Sequence, residues 1–67
     1  MEAAWIEAGK DTIECVVVEV SRGGARLETS TPLPLTFELC LTGDEGRMRR
    51  RCRLAWQDES WAGVNFV

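Results

Sequence analysis

The sequence predicts an all-β fold, a six-stranded antiparallel barrel. Apolar residues recur with period two in short runs, turn residues punctuate those runs at short intervals, and no segment carries a helical period. A barrel is preferred over an open sheet because closure removes exposed strand edges most economically in 67 residues. A chain of this size buries only about 60% of the surface its unfolded form exposes, so residues 1–67 make one domain with little core to spare.

The first strand is expected within Met1–Glu7, with Ala4 and Ile6 on one face, and ends at a turn over Gly9, Lys10 and Asp11. Ile13–Val20 is rich in β-branched residues and places Ile13, Cys15 and Val17 on one face. Ser21–Gly24 reads as a tight hairpin turn, with the paired glycines supplying positive φ angles, and Ala25–Thr29 returns. Pro32 and Pro34 exclude ladder pairing and mark a loop. Thr36–Leu41 directs Phe37, Leu39 and Leu41 to one side, and the Gly43–Gly46 segment is a hairpin loop into Met48–Gln57. There the alternation sends Cys52, Leu54 and Trp56 inward and Arg49, Arg51 and Arg53 outward. Asp58–Trp61 is the last hairpin loop, and Ala62–Val67 closes the chain with Val64 and Phe66 inside.

Composition narrows the function classes. An apolar share of 45% and a charged share of 28% fit a globular domain rather than a disordered chain. Apolar runs such as Cys15–Val18 reach only four residues, far short of the roughly 20 that span a bilayer, and no basic-then-apolar segment opens the chain, so a cytoplasmic location without membrane insertion is expected. With no histidine, no tyrosine and no carboxylate cluster around a nucleophile, acid–base catalysis and a bound metal are not expected, and the chain is read as no enzyme. Cys15, Cys40 and Cys52 are odd in number and lack a CxxC spacing, so they read as small buried apolar side chains.

The hairpin segment from Glu14 to Leu27, Glu-Cys-Val-Val-Val-Glu-Val-Ser-Arg-Gly-Gly-Ala-Arg-Leu, resembles the D/N-x-S-x-x-G signature of PilZ domains. Pro32–Leu39, Cys52–Trp56 and Gly63–Phe66 are similar, in order and spacing, to that family's proline loop, fifth strand and closing strand, so the resemblance covers residues 12–67. It implies a bacterial receptor or adaptor for the second messenger cyclic di-GMP, with Glu19, Ser21, Arg22 and Gly24 at the ligand. Two departures bear on that ligand. No arginine precedes Arg22, so the family's RxxxR clamp is absent, and Glu19 stands where the family prefers Asp or Asn. Losing two charge-assisted contacts costs roughly 3–6 kcal/mol, or about two to four decades in affinity. Arg22 and Arg26 are the cations near enough in sequence to replace the clamp, and the other reading of Glu19, Ser21 and Gly24 is that they only shape the hairpin.

The expected function is therefore a regulatory module acting by contact with a bacterial signalling or motility protein, or with its own copy. Cyclic di-GMP is a doubtful ligand, and no cofactor is called for. The family's helix beyond the last strand has no counterpart before Val67, which is expected to leave an apolar rim near Trp5, Trp61 and Val67 for a partner. Arg49, Arg51 and Arg53 offer a second docking stripe, or a solvated sheet face on which Glu38 lies across from Arg51. A third reading takes Arg47–Arg53 as a nucleic-acid face, against which stand a net charge of −3 and an outward face without an aromatic residue.

Overall fold

The computed structural model describes residues 1–43 and 46–67, with the backbone alone at 42, 43, 46 and 47. The chain forms six strands, β1 (Glu2–Ala8), β2 (Asp11–Val20), β3 (Gly24–Glu28), β4 (Thr36–Gly43), β5 (Gly46–Gln57) and β6 (Trp61–Phe66). They close into a barrel in the order β1-β2-β3-β6-β5-β4. Every neighbouring pair is antiparallel, so β6 is inserted between β3 and β5 while β1 and β4 form the seam. Among the described residues there is no helix, hence none long and apolar enough to cross a membrane. The expected hairpin tip at Asp44 and Glu45 lies outside the described residues.

The period-two pattern builds the interior. Ala4, Ile6, Cys15, Val17, Leu27, Phe37, Leu39, Cys52, Ala62 and Val64 are buried together, with Ile13, Leu41, Leu54 and Phe66 packed partly buried at their margins. Ile6, Leu27, Leu39 and Cys52 are the largest fully enclosed side chains. Burying an aliphatic side chain of this kind stabilises by roughly 1.5–3 kcal/mol. Phe66 remains half-buried because it stands at the barrel end, where the Arg50 guanidinium covers its ring at 4.2 Å.

The proline loop plugs the opposite end. Leu33 joins the core, and the Gln57 amide holds the loop with both of its halves: Leu33 N–H donates to Gln57 Oε1 at 2.9 Å, and Gln57 Nε2 donates to the Thr31 carbonyl at 2.8 Å. The end that carries both termini and the β2–β3 hairpin is flanked by exposed Met1, Val20, Met48 and Val67.

Three expectations are corrected. Trp56 is not a core residue: it is 47% exposed, because Ala55 is an unpaired bulge between the Leu54–Val64 and Trp56–Gly63 pairs, and this reverses the alternation. Trp5, Trp61 and Val67 do not share a rim. Trp61 and Val67 sit at opposite ends of β6, and Trp5 lies on β1, across the six-stranded ring from β6. The glycine pair of the second hairpin does not supply positive φ; Gly9, in the β1–β2 turn, does, at 61°. Gly24 is needed for another reason. A Cβ there would lie 2.1 Å from the Val64 carbonyl oxygen on the adjoining strand.

Candidate ligand groove on the outer wall

Two bulges assemble the candidate site. In β2, Ile13, Cys15 and Val17 point inward, so strict alternation would send Glu19 inside as well. Val18 is left unpaired between the Val17–Leu27 and Glu19–Arg26 pairs, and Glu19 emerges exposed on the outer wall. The Ala55 bulge does the same for Trp56. Arg26 pairs with Gly63 and Gly63 with Trp56, so Glu19, Arg26, Gly63 and Trp56 form one row across β2, β3, β6 and β5. Without a Cβ at Gly63 the indole can lie over the strand, its pyrrole edge occupying the space a methyl would need.

The hairpin beside this row is fixed by hydrogen bonds within it and by one from β6. Ser21 N–H donates to the Gly24 carbonyl at 2.8 Å, the Ser21 hydroxyl donates to the same oxygen at 3.4 Å, and Phe66 N–H donates to the Gly23 carbonyl at 2.8 Å. Together these elements enclose a concavity of about 440 Å³ whose wall includes Glu19, Ser21, Gly24, Arg26, Trp56 and Asn65. Of the four residues implicated by sequence, Glu19, Ser21 and Gly24 are therefore brought together. Arg22 is exposed and lines no part of the groove. Its place is taken by Arg26, whose guanidinium also covers the Trp61 ring at 5.4 Å. Trp56, Gly63 and Asn65 went unrecognised as site residues. The one available signal was Glu19 itself, a carboxylate in phase with three core positions.

The arginine stripe divides in two. Arg49 donates to Glu38 Oε1 at 2.9 Å and forms an ion pair with Glu7 Oε1 at 2.9 Å, so it bridges β4 and β1. Hydrogen bonds from Arg49 first, and then from the Trp5 indole, hold the Glu7 carboxyl below its ordinary value. Glu38 does lie opposite Arg51 in the ladder, as expected, but its ion pair runs diagonally to Arg49. Arg51 and Arg53 are exposed and have no ion-pair partner among the described residues. The side chain of Arg47 lies outside the described residues.

A second concavity, about 680 Å³, opens over β1, β2 and the end of β3, beside Trp5, Glu14 and Glu28, and contains none of the expected ligand residues. All three cysteines are buried and unpaired. Burial, and then the nearby Cys52, push the Cys15 thiol up to about 11, so it is protonated at neutral pH and a poor nucleophile. No group of three or more potential metal ligands is found among the described residues. No protein-family model matches the chain, and neither the curated proteins nor the solved structures yield a match.

Proposed function

We propose that this chain is a non-enzymatic signalling module of the PilZ type in a bacterial cyclic di-GMP network, working in the cytoplasm through protein contact, with direct nucleotide binding weak or lost. The observation that carries this reading is the half-built groove. Glu19, Ser21 and Gly24 line it as the sequence motif implies, yet among the described residues its wall holds one arginine, and that arginine is already engaged over Trp61. A bis-phosphate ligand needs forked, doubly donating cations, and a single guanidinium supplies half of such a clamp. Exposed Met1, Val20, Met48 and Val67 at the terminal end of the barrel support the contact role, since apolar side chains gathered at one end favour burial against another surface.

Titration calorimetry with cyclic di-GMP tests the reading. The expected dissociation constant is about millimolar or weaker. Micromolar heats would overturn it in favour of a second reading, a receptor with an atypical clamp. That reading has its own supporting observation, the facing of Arg26 and Trp56 across the Gly63 floor. In that event Arg26→Ala should abolish binding and Arg22→Ala should leave it intact.

A further inference from the structure

The outward turn of Trp56 changes what the β5 wall can bind. In strict alternation the indole is inside and the arginine face carries no ring. With Ala55 as a bulge, Arg51, Arg53 and Trp56 stand in succession on one exposed wall, and Asn65 pairs with Arg53 on the neighbouring strand. We infer that this wall is a binding track for single-stranded nucleic acid, with Arg51 and Arg53 on successive phosphates and Trp56 stacking a base.

The chemistry required is the chemistry present. Single strands are held by cations that follow the backbone and by aromatic faces that take the bases. Residues on one face of a strand recur about every 6.6–6.8 Å, a step that an extended polynucleotide backbone can follow. Glu7 and Glu38 are both engaged by Arg49, so Arg51, although Glu38 is its cross-strand neighbour, and Arg53 have no ion-pair partner among the described residues. Trp56 rests against Gly63 and leaves about half of its surface open to a ligand. The groove on its far side, between the indole and Arg26, gives a base somewhere to go. An acidic peptide would satisfy the two arginines and leave both the indole and the groove unused, which is why a polynucleotide is the better fit. The net charge of −3 does not remove the track, since the potential that matters lies within about 8–10 Å of the wall, but it makes binding weak and sensitive to salt. This inference shares Trp56 and the groove with the cyclic dinucleotide reading and differs from it in Arg51 and Arg53, which do not line that groove and whose removal therefore tests the track alone.

Fluorescence anisotropy with a labelled oligothymidylate of about twelve nucleotides is the test, run from about 20 to 200 mM salt, where a single strand loses affinity with a log–log slope near 0.7 per phosphate contact. Two contacts predict a slope of roughly 1.4. R51Q/R53Q should bring binding down to the detection limit, Trp56→Ala should weaken it about tenfold, and Trp56→Phe should retain most of it. All three positions are exposed, so the variants keep the fold. Absence of binding at low salt overturns the inference. So does an affinity unchanged by Trp56→Ala, which would leave only a sticky cationic surface. So, too, does equal competition by a poly-glutamate peptide, which would assign the wall to an acidic protein.

Discussion

Strands β2 and β5 each contain one unpaired residue, Val18 and Ala55, and each bulge returns its next residue to the outer wall. The physical reasons differ. In β2 the residue is Glu19, and an ionised carboxylate left in phase with Cys15 and Val17 would face the apolar interior without a partner, at a cost of several kcal/mol. In β5 it is an indole, which an interior would accept on grounds of polarity. What excludes it is volume. Leu33 from the proline loop already joins the core at that end and is fastened there by Gln57, the residue next to Trp56. A bulge that charge demands can be read from a sequence, whereas one that volume demands depends on a loop more than twenty residues away.

The two glycines of this region sharpen the contrast. A Cβ at Gly24 meets the Val64 carbonyl, which belongs to the backbone, so no side chain can move to make room. Gly24→Ala should lose about 2–4 kcal/mol in urea denaturation. At Gly63 the Cβ meets the Trp56 indole, which can swing into solvent. Gly63→Ala should lose about 1 kcal/mol, and most of that loss should vanish in a Trp56→Ala background. Equal losses at the two glycines, or no relief by the second substitution, would break the comparison.

A smaller effect is expected at the bulged tryptophan itself. Trp56→Asp places a charge on the wall rather than in the core and should change stability by no more than about 1 kcal/mol. Loss of the folded circular-dichroism signal would return Trp56 to the interior. The least effect belongs to the seam, where Arg49, reaching over β4 to β1, holds Glu7 below its ordinary value of 4.5. A carboxyl whose value is lowered by folding contributes stability that is present above about pH 4.5 and is lost as pH falls through its folded value. Melting temperature should accordingly decline below that pH, and Arg49→Gln should flatten the decline. Both partners are solvated, so the change will be modest. Identical acid profiles for the two proteins would show that the ion pair contributes nothing.

Much of this architecture was legible in the residues. Ala4 and Ile6, Cys15 and Val17, Phe37 and Leu39, and Val64 all face inward as period two requires, because each strand buries one face. The β4–β5 register was legible too, down to Glu38 opposite Arg51, since a hairpin fixes the pairing of its own arms. Arg49 chose Glu38 and Glu7 instead because a third strand, β1, meets β4 at the seam, and nothing local in β4 or β5 announces which strand closes a barrel. Trp5 and Trp61 were grouped for the same reason. One lies near a terminus and the other near a loop, but only the ring order β1-β2-β3-β6-β5-β4 reveals that they stand on opposite walls. The ligand residues divide along the same line. Ser21 and Gly24 belong to one hairpin, while Arg26, Gly63 and Trp56 meet only after β6 has been placed between β3 and β5.

That placement of β6 also governs the order in which the molecule can be completed during synthesis. β3 and β4 are consecutive in the chain but not adjacent in space, so until Trp61–Phe66 leaves the ribosome the nascent sheet β3-β2-β1-β4-β5 has two free edges, β3 at one margin and β5 at the other. Unpaired margins of this kind invite pairing with a neighbouring chain. β6 satisfies both at once, through Gly24–Glu28 on one side and Cys52–Gln57 on the other, so the six residues of this strand convert an aggregation-prone intermediate into a ring with no edge. The groove cannot form earlier than that, because its Gly63 floor and its Asn65 wall arrive with the same strand.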